Sequence, residues 1–210
     1  MRGVYLVTDR GLCRSRSLQD VVLKGVQAGV AYVQLREKDL STRAFVEEAV
    51  TIKKMITPYS VPLIINDRID VALACGADGV HLGQQDMPYA MARKLMGDKA
   101  IIGLSVETWE DVEVAEKLDV NYIGVSPVFA TPTKTDTKEP WELAGLMKIK
   151  AFSRHPLVAI GGINVSNAQA VAEAGADCLA VVSAVCSADD PADAAVKLKN
   201  IMDAVMRNHG

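Results

Sequence analysis

Ala28-Gly29-Val30-Ala31-Tyr32-Val33, Cys75-Gly76-Ala77-Asp78-Gly79-Val80, Leu118-Asp119-Val120-Asn121-Tyr122-Ile123 and Ala174-Gly175-Ala176-Asp177-Cys178-Leu179 are four versions of one junction, a helix end running into a strand. A glycine just past a helix end accepts the left-handed conformation that turns the chain into the next element. In the third copy Asp119 stands in the glycine position, a weaker choice that tolerates the same conformation. The strands that follow begin at Tyr32, Gly79, Tyr122 and Cys178, so the copies are separated by 47, 43 and 56 residues. Each interval holds two strand–helix pairs, and the chain therefore reads as four double units.

Outward from these junctions, short apolar runs alternate with longer amphipathic or Ala-rich stretches, the pattern of a parallel sheet with crossover helices. Strands are predicted at residues 4–8, 32–36, 63–66, 79–82, 101–105, 122–125, 157–160 and 178–182. Helices are predicted near 18–28, 42–57, 68–75, 88–96, 107–118, 141–152, 166–174 and 191–206. Ser17, Ser41 and Ser166 are placed as N-caps, and Pro88 and Pro191 suit a first helical turn. Four double units close into a single-domain (β/α)8 TIM barrel spanning residues 1–210. The competing open, doubly wound sheet usually carries a Gly-x-Gly-x-x-Gly turn after its first strand. Val7-Thr8-Asp9-Arg10-Gly11-Leu12-Cys13 has none.

Composition narrows the partners. The chain has 210 residues, half of them hydrophobic, with 23 Lys and Arg against 26 Asp and Glu and a net charge of −3. A chain of this length buries roughly 70% of its unfolded surface and needs no disulfide or metal to hold a core. Mild acidity without a Lys/Arg block argues against nucleic-acid and membrane partners. Asp9 interrupts the apolar start too early for a signal-peptide core. Cys13, Cys75, Cys178 and Cys186 show neither Cys-x-x-Cys nor a companion histidine, so reduced cysteines in the cytoplasm are the reading. With only three histidines, chemistry built on a histidine triad has little to work with. A homo-oligomer stays open.

In a barrel of this kind the chemistry sits at the C-terminal ends of the strands. On the second strand Gln34, Arg36 and Lys38 alternate, so one face carries an amide and two cations and fits an anion. The plainer alternative is a solvated loop in which Glu37 and Asp39 neutralise those cations. Asp67 and Asp86, after neighbouring strands, repel one another beside an anion site unless a cation lies between them, and Mg2+ fits. Alternatively, Asp67 makes a turn or cap and Asp86 caps the helix near Pro88. Gly161-Gly162 and Ser183-Ala184, after the last two strands, fall where these barrels build a backbone phosphate cradle. The long connection from Ser126 to Trp141, with Thr131, Thr133 and Lys134, reads as a lid over a charged ligand or as a surface excursion. His81, near the end of the fourth strand, reads as a packed, hydrogen-bonded residue rather than a catalyst. Two anion sites and no obvious nucleophile suggest that diphosphate is the leaving group and that a second phosphorylated molecule attacks.

At this point the chain resembles the thiamine phosphate synthase family. The resemblance rests on Tyr5-Leu6-Val7-Thr8-Asp9, Val33-Gln34-Leu35-Arg36-Glu37-Lys38, Ile65-Asn66-Asp67-Arg68, Gly79-Val80-His81-Leu82-Gly83-Gln84-Gln85-Asp86, Pro127 through Lys134, Ala159-Ile160-Gly161-Gly162-Ile163 and Val182-Ser183, in order and nearly end to end. It implies a transferase that joins a hydroxymethylpyrimidine diphosphate to a thiazole phosphate through a carbocation, releasing pyrophosphate. It also implies that Gln34, Arg36, Lys38, Asn66, Ser105 and Lys134 hold the pyrimidine diphosphate, with Arg36, Lys38, Lys134 and Ser105 catalytic and Ser105 near the ring. Asp67 and Asp86 would hold Mg2+, and Thr131, Thr133, Gly162, Val182 and Ser183 would receive the thiazole phosphate. The TenI-like thiazole tautomerases share the barrel but depart from the Asn-Asp pair and the Gln-x-Arg-x-Lys set, and carry histidine where Pro127 stands. This chain keeps the synthase residues. A tautomerase and a non-catalytic phosphate-ligand-binding barrel are the alternatives. Ser126 departs from the family, which usually has glycine there.

Overall fold

The computed structural model, which describes residues 1–131 and 138–208, closes eight short parallel strands on one another in chain order. They are β1 (Gly3–Val7), β2 (Tyr32–Leu35), β3 (Leu63–Asn66), β4 (Gly79–Leu82), β5 (Ile101–Val106), β6 (Tyr122–Val125), β7 (Leu157–Ile160) and β8 (Cys178–Val181). β8 pairs back onto β1, from Gly3↔Cys178 to Leu6↔Val181, so the sheet has no free edge. Around it run α1 (Leu18–Gln27), α2 (Thr42–Ile56), α3 (Ile69–Cys75), α4 (Tyr89–Met96), α5 (Trp109–Ala115), α6 (Glu142–Phe152), α7 (Ala168–Glu173), α8 (Ser183–Cys186) and α9 (Pro191–Asn208). All eight predicted strands are present, with ends shifted by a residue or so. Helix α8 was not foreseen, because a single turn leaves no periodicity to read. No helix among the described residues is long and apolar enough to cross a membrane.

The junction repeat has a physical cause. Asp78 Oδ2 accepts the backbone N–H of Leu63 at 2.7 Å, Asn121 Oδ1 that of Ile102 at 2.8 Å, and Asp177 Oδ2 that of Leu157 at 2.8 Å. Each acceptor precedes an even-numbered strand and satisfies an N–H at the start of the odd-numbered strand before it. Each is also held by a cation from the helix that precedes the odd-numbered strand: Lys53 of α2 at 2.5 Å, Arg93 of α4 at 2.9 Å and Lys150 of α6 at 2.7 Å. In the first copy Ala31 has no side chain for this and keeps only the backbone bond common to all four: its N–H donates to Val4 O, as those of Asp78, Asn121 and Asp177 donate to Leu63, Ile102 and Leu157 O.

Of the predicted caps, Ser17 accepts from Asp20 N–H and Ser41 from Ala44 N–H. Ser166 does not cap α7. Asn167 precedes that helix, and Ser166 donates both its N–H and its hydroxyl to Asn164 Oδ1. The cause is an extra turn: the Asn164 carbonyl already accepts from Asn167 and Ala168 N–H, so the polar side chains bond one another. Pro191 opens α9, whereas Pro88 stands one residue ahead of α4, with its carbonyl accepting from Met91 and Ala92 N–H.

Two apolar layers result. One lies between strands and helices, where Leu18, Phe45, Ile52, Ile65 and Leu82 are among the buried residues. The other fills the barrel with Tyr5, Val7, Ile64, Tyr122, Val158, Cys178 and Ala180. Fully burying a side chain of this kind stabilises the fold by about 1.5–3 kcal/mol. The interior admits large rings only because facing positions are small. A Cβ at Gly103 would lie 2.0 Å from the Tyr122 ring, and one at Gly124 would lie 2.9 Å from His81 Cε1.

Candidate active site

A cavity of about 580 Å³ lies at the C-terminal ends of the strands. On the β2 side Gln34, Arg36 and Lys38 all line it, as strand alternation requires. Glu37, one residue out of phase, turns the other way and takes Arg10 Nη2 at 2.9 Å, a guanidinium that Glu48 also holds at 2.9 Å. Glu37 therefore does not neutralise the two cations. Arg36 is half-buried, its N–H donates to Thr8 Oγ1 at 3.0 Å, and its guanidinium has no carboxylate partner among the described residues. Such a cation facing a cavity is an anion receptor, and its planar fork matches a phosphate.

Lys38 Nζ reaches Asp67 Oδ2 at 2.5 Å. Asp67 sits just past β3 with φ of 61°, fixed by its N–H donating to His81 O at 2.9 Å. It does not cap α3, whose preceding residue, Arg68, makes no side-chain cap. Nor does Asp86 cap α4; its Oδ2 accepts from Gly83 N–H at 2.6 Å. Burial pushes the Asp86 carboxyl up, the Gly83 N–H pulls it down, and the neighbouring Asp67 pushes it up again. A carboxyl whose charge is disfavoured by a neighbouring carboxylate fits a divalent cation held between the two. Among the described residues no three His, Cys, Asp or Glu side chains are grouped to hold a metal. The pair therefore suits Mg2+, which takes one or two carboxylates and completes its shell from substrate phosphates and water. Asn66, 8% exposed, lines the cavity beside them and makes no side-chain hydrogen bond among the described residues.

Across the cavity, Gly161 and Gly162 adopt φ of 108° and 65° under the segment that follows β6. A Cβ on Gly162 would stand 2.8 Å from Phe129 Cβ, so glycine is required on two grounds. Val182 and Ser183 follow β8, line the cavity and lead into the one-turn α8, in which the Val182 carbonyl accepts from Val185 and Cys186 N–H. Loops after the seventh and eighth strands plus a short extra helix are the usual phosphate site of these barrels.

Ser105 and Thr131 also line the cavity, which thus gathers every predicted site residue except Thr133 and Lys134. Those two lie outside the described residues. Sequence reasoning missed Lys138, a cation on the rim from the same long connection as Lys134. It also missed the floor. Gln34 Nε2 donates to Tyr5 OH at 3.0 Å, Tyr5 OH lies 3.0 Å from Tyr122 OH, Tyr122 OH 2.9 Å from His81 Nδ1, and His81 Nε2 2.8 Å from Ser105 Oγ. A tyrosine in an apolar run reads as core. The available signal was that Tyr5 and Tyr122 fall on the inward alternation, where a buried hydroxyl must find a partner.

A family model described as thiamine monophosphate synthase matches residues 4–185. The chain belongs to the thiamine monophosphate synthase family. Curated relatives named thiamine-phosphate synthase include one from Albidiferax ferrireducens, 57% identical over 202 residues and covering 96% of this chain and 92% of its own length. Another, from Leptospira biflexa, is 55% identical over 95% of this chain and 97% of its own. Among solved structures, a thiamine phosphate pyrophosphorylase from Pyrococcus furiosus superposes with a TM-score of 0.88 at 37% identity, covering 97% of this chain and 96% of that one. Membership of the thiamine monophosphate synthase family makes the chain an enzyme of the transferase class. The synthase names of these relatives favour that branch over the tautomerases.

Proposed function

We propose that this enzyme joins a hydroxymethylpyrimidine diphosphate to a thiazole phosphate, yielding thiamine phosphate and pyrophosphate. The observation that carries the proposal is one cavity with Arg36, which has no carboxylate partner among the described residues, Lys38 and a crowded carboxylate pair at one end, and the Gly162 and Ser183 cradle at the other. Two phosphorylated molecules can lie end to end in it.

Arg36 grips the terminal phosphate oxygens in a fork, and Lys38, steered by Asp67, brings a point charge to the same group. Asp67 and Asp86 would hold Mg2+, which supplies charge neutralisation on the diphosphate when bound. As the bond between the pyrimidine methylene carbon and the diphosphate oxygen breaks, the electron pair leaves with pyrophosphate. The fixed cations stabilise the charge that builds there. Gln34, Asn66 and Ser105 orient the pyrimidine, and Thr131, Thr133, Gly162, Val182 and Ser183 hold the thiazole phosphate so that its ring nitrogen faces the cationic carbon. The nitrogen lone pair forms the new C–N bond. No proton has to be removed, so the site needs no general base. Lys134, carried by the family resemblance, adds a third cation to the diphosphate. The four cysteines, all free, suit a reducing cytoplasm.

The test is direct. Purified protein with both phosphorylated substrates and Mg2+ should form thiamine phosphate, and a chelator should abolish the reaction. No product from the intact protein would sink the proposal, and full activity in chelator would remove the metal from it.

A further inference from the structure

Five side chains from five strands make one hydrogen-bonded line across the cavity floor: Gln34, Tyr5, Tyr122, His81 and Ser105. Ser105 and His81, 2.8 Å apart, look at first like a serine nucleophile and its base. The line has a direction, however, and the direction excludes that role. The Gln34 amide nitrogen can only donate, so Tyr5 oxygen accepts. Tyr5 is 1% exposed, and the acceptor that its single proton meets among the described residues is the Tyr122 oxygen. Left unpaired, a buried O–H costs as much as the hydrogen bond it lacks. Tyr122, with no exposed surface, must in turn place its proton on His81 Nδ1. A neutral imidazole that accepts at Nδ1 carries its proton at Nε2.

We propose that His81 is held as the Nε2–H tautomer and donates to Ser105 Oγ, so that Ser105 turns its own proton into the cavity as a hydrogen-bond donor. His81 is then a positioning residue. A histidine already donating to a serine cannot take that serine's proton, so the pair is a polarity device and not a nucleophile with its base. Burial pushes both phenols up, so each keeps the proton that the line requires. Gly103 and Gly124 leave the room that the Tyr122 and His81 rings occupy. The consequence for specificity rests on the function proposed above: the substrate atom against Ser105 must be an acceptor, as a pyrimidine ring nitrogen is, and an analogue presenting C–H there should bind poorly.

Nitrogen-15 NMR of protein labelled in its histidine rings reads the tautomer without substrate, so it stands whether or not the function proposal does. The chain has only His81, His155 and His209, and His155→Gln and His209→Gln assign the signals by subtraction. A protonated Nε2 and a bare Nδ1 at His81 are expected. The Nδ1–H tautomer or a doubly protonated ring would overturn the proposal. In kinetics, Tyr122→Phe should raise KM for the pyrimidine diphosphate about tenfold, the effect of losing one well-placed hydrogen bond, and leave KM for the thiazole phosphate within about twofold. Because the effect runs through Ser105, adding Ser105→Ala should cost no more than Ser105→Ala alone. Multiplying effects, or an equal rise in both KM values, would overturn it. If Tyr122→Phe does not fold, Tyr5→Phe cuts the same line earlier and is read by the same cycle.

Discussion

Glu37 and Arg36 are adjacent in sequence, yet only one of them faces the cavity, and that difference governs the site. Alternation along β2 made Gln34, Arg36 and Lys38 legible as a set. The sequence did not say where Glu37 would go, because its partner Arg10 is far away in the chain and comes near only when the barrel closes. Arg36→Ala should therefore lower kcat/KM for the pyrimidine diphosphate by about 10²–10³, the range found when one preorganised charge-stabilising group is removed. Its melting temperature should stay near wild type, since Arg36 gives up no ion pair among the described residues; a large drop in a thermal melt would mean that the guanidinium has a structural partner. Gly103→Ala tests the floor. The added Cβ meets the Tyr122 ring at 2.0 Å, and overpacking of this kind costs about 1–3 kcal/mol, which denaturant unfolding would resolve. Tyr5 and Tyr122 were illegible as site residues because their rings belong to the barrel core and only their hydroxyls reach the polar line.

At the scale of elements, the repeated junction turned out to hold more than a glycine turn. Asp78, Asn121 and Asp177 each tie a pair of strands together, with a helix cation closing the contact. That explains why the pattern could be read without an alignment: the same backbone problem recurs at each strand pair and is met with the same kind of side chain. Asp177→Ala should leave the Leu157 N–H and Lys150 without their acceptor and cost about 1–3 kcal/mol. In a chain of this size that is roughly 2–4 °C of melting temperature per kcal/mol, and a melt indistinguishable from wild type would contradict the assignment. The same scale shows where local signals mislead. Ser166 has the residue type of an N-cap, but Asn164 and Asn167 form the turn first. Helix α8 is one turn long, held by backbone bonds to the Val182 carbonyl and by its place after β8, neither of which leaves a mark in the sequence.

For the molecule as a whole, barrel closure converts scattered residues into a site. Arg36, Asp67, Asp86, Ser105, Gly162 and Ser183 come from different strand ends and meet only because β8 returns to β1. That much was legible, since strand order and the rule that chemistry sits at the C-terminal face fix which residues converge. Of the residues that carry the lid reading of the long connection, Thr133 and Lys134 lie outside the described residues. Net charge was uninformative about the ligands, because what matters is local: Arg36, Lys38 and Lys138 meet at one mouth of the barrel. In the proposed reaction fixed charge draws the leaving group away, and the second substrate, not the protein, supplies the nucleophile. A single turnover with enzyme in excess over pyrimidine diphosphate, in the presence of Mg2+ and thiazole phosphate, tests it most directly. Pyrophosphate and thiamine phosphate should appear together, one for one, with no mass added to the chain. Pyrophosphate released without thiamine phosphate, or a pyrimidine bound covalently to Ser105 or any other residue, would contradict it.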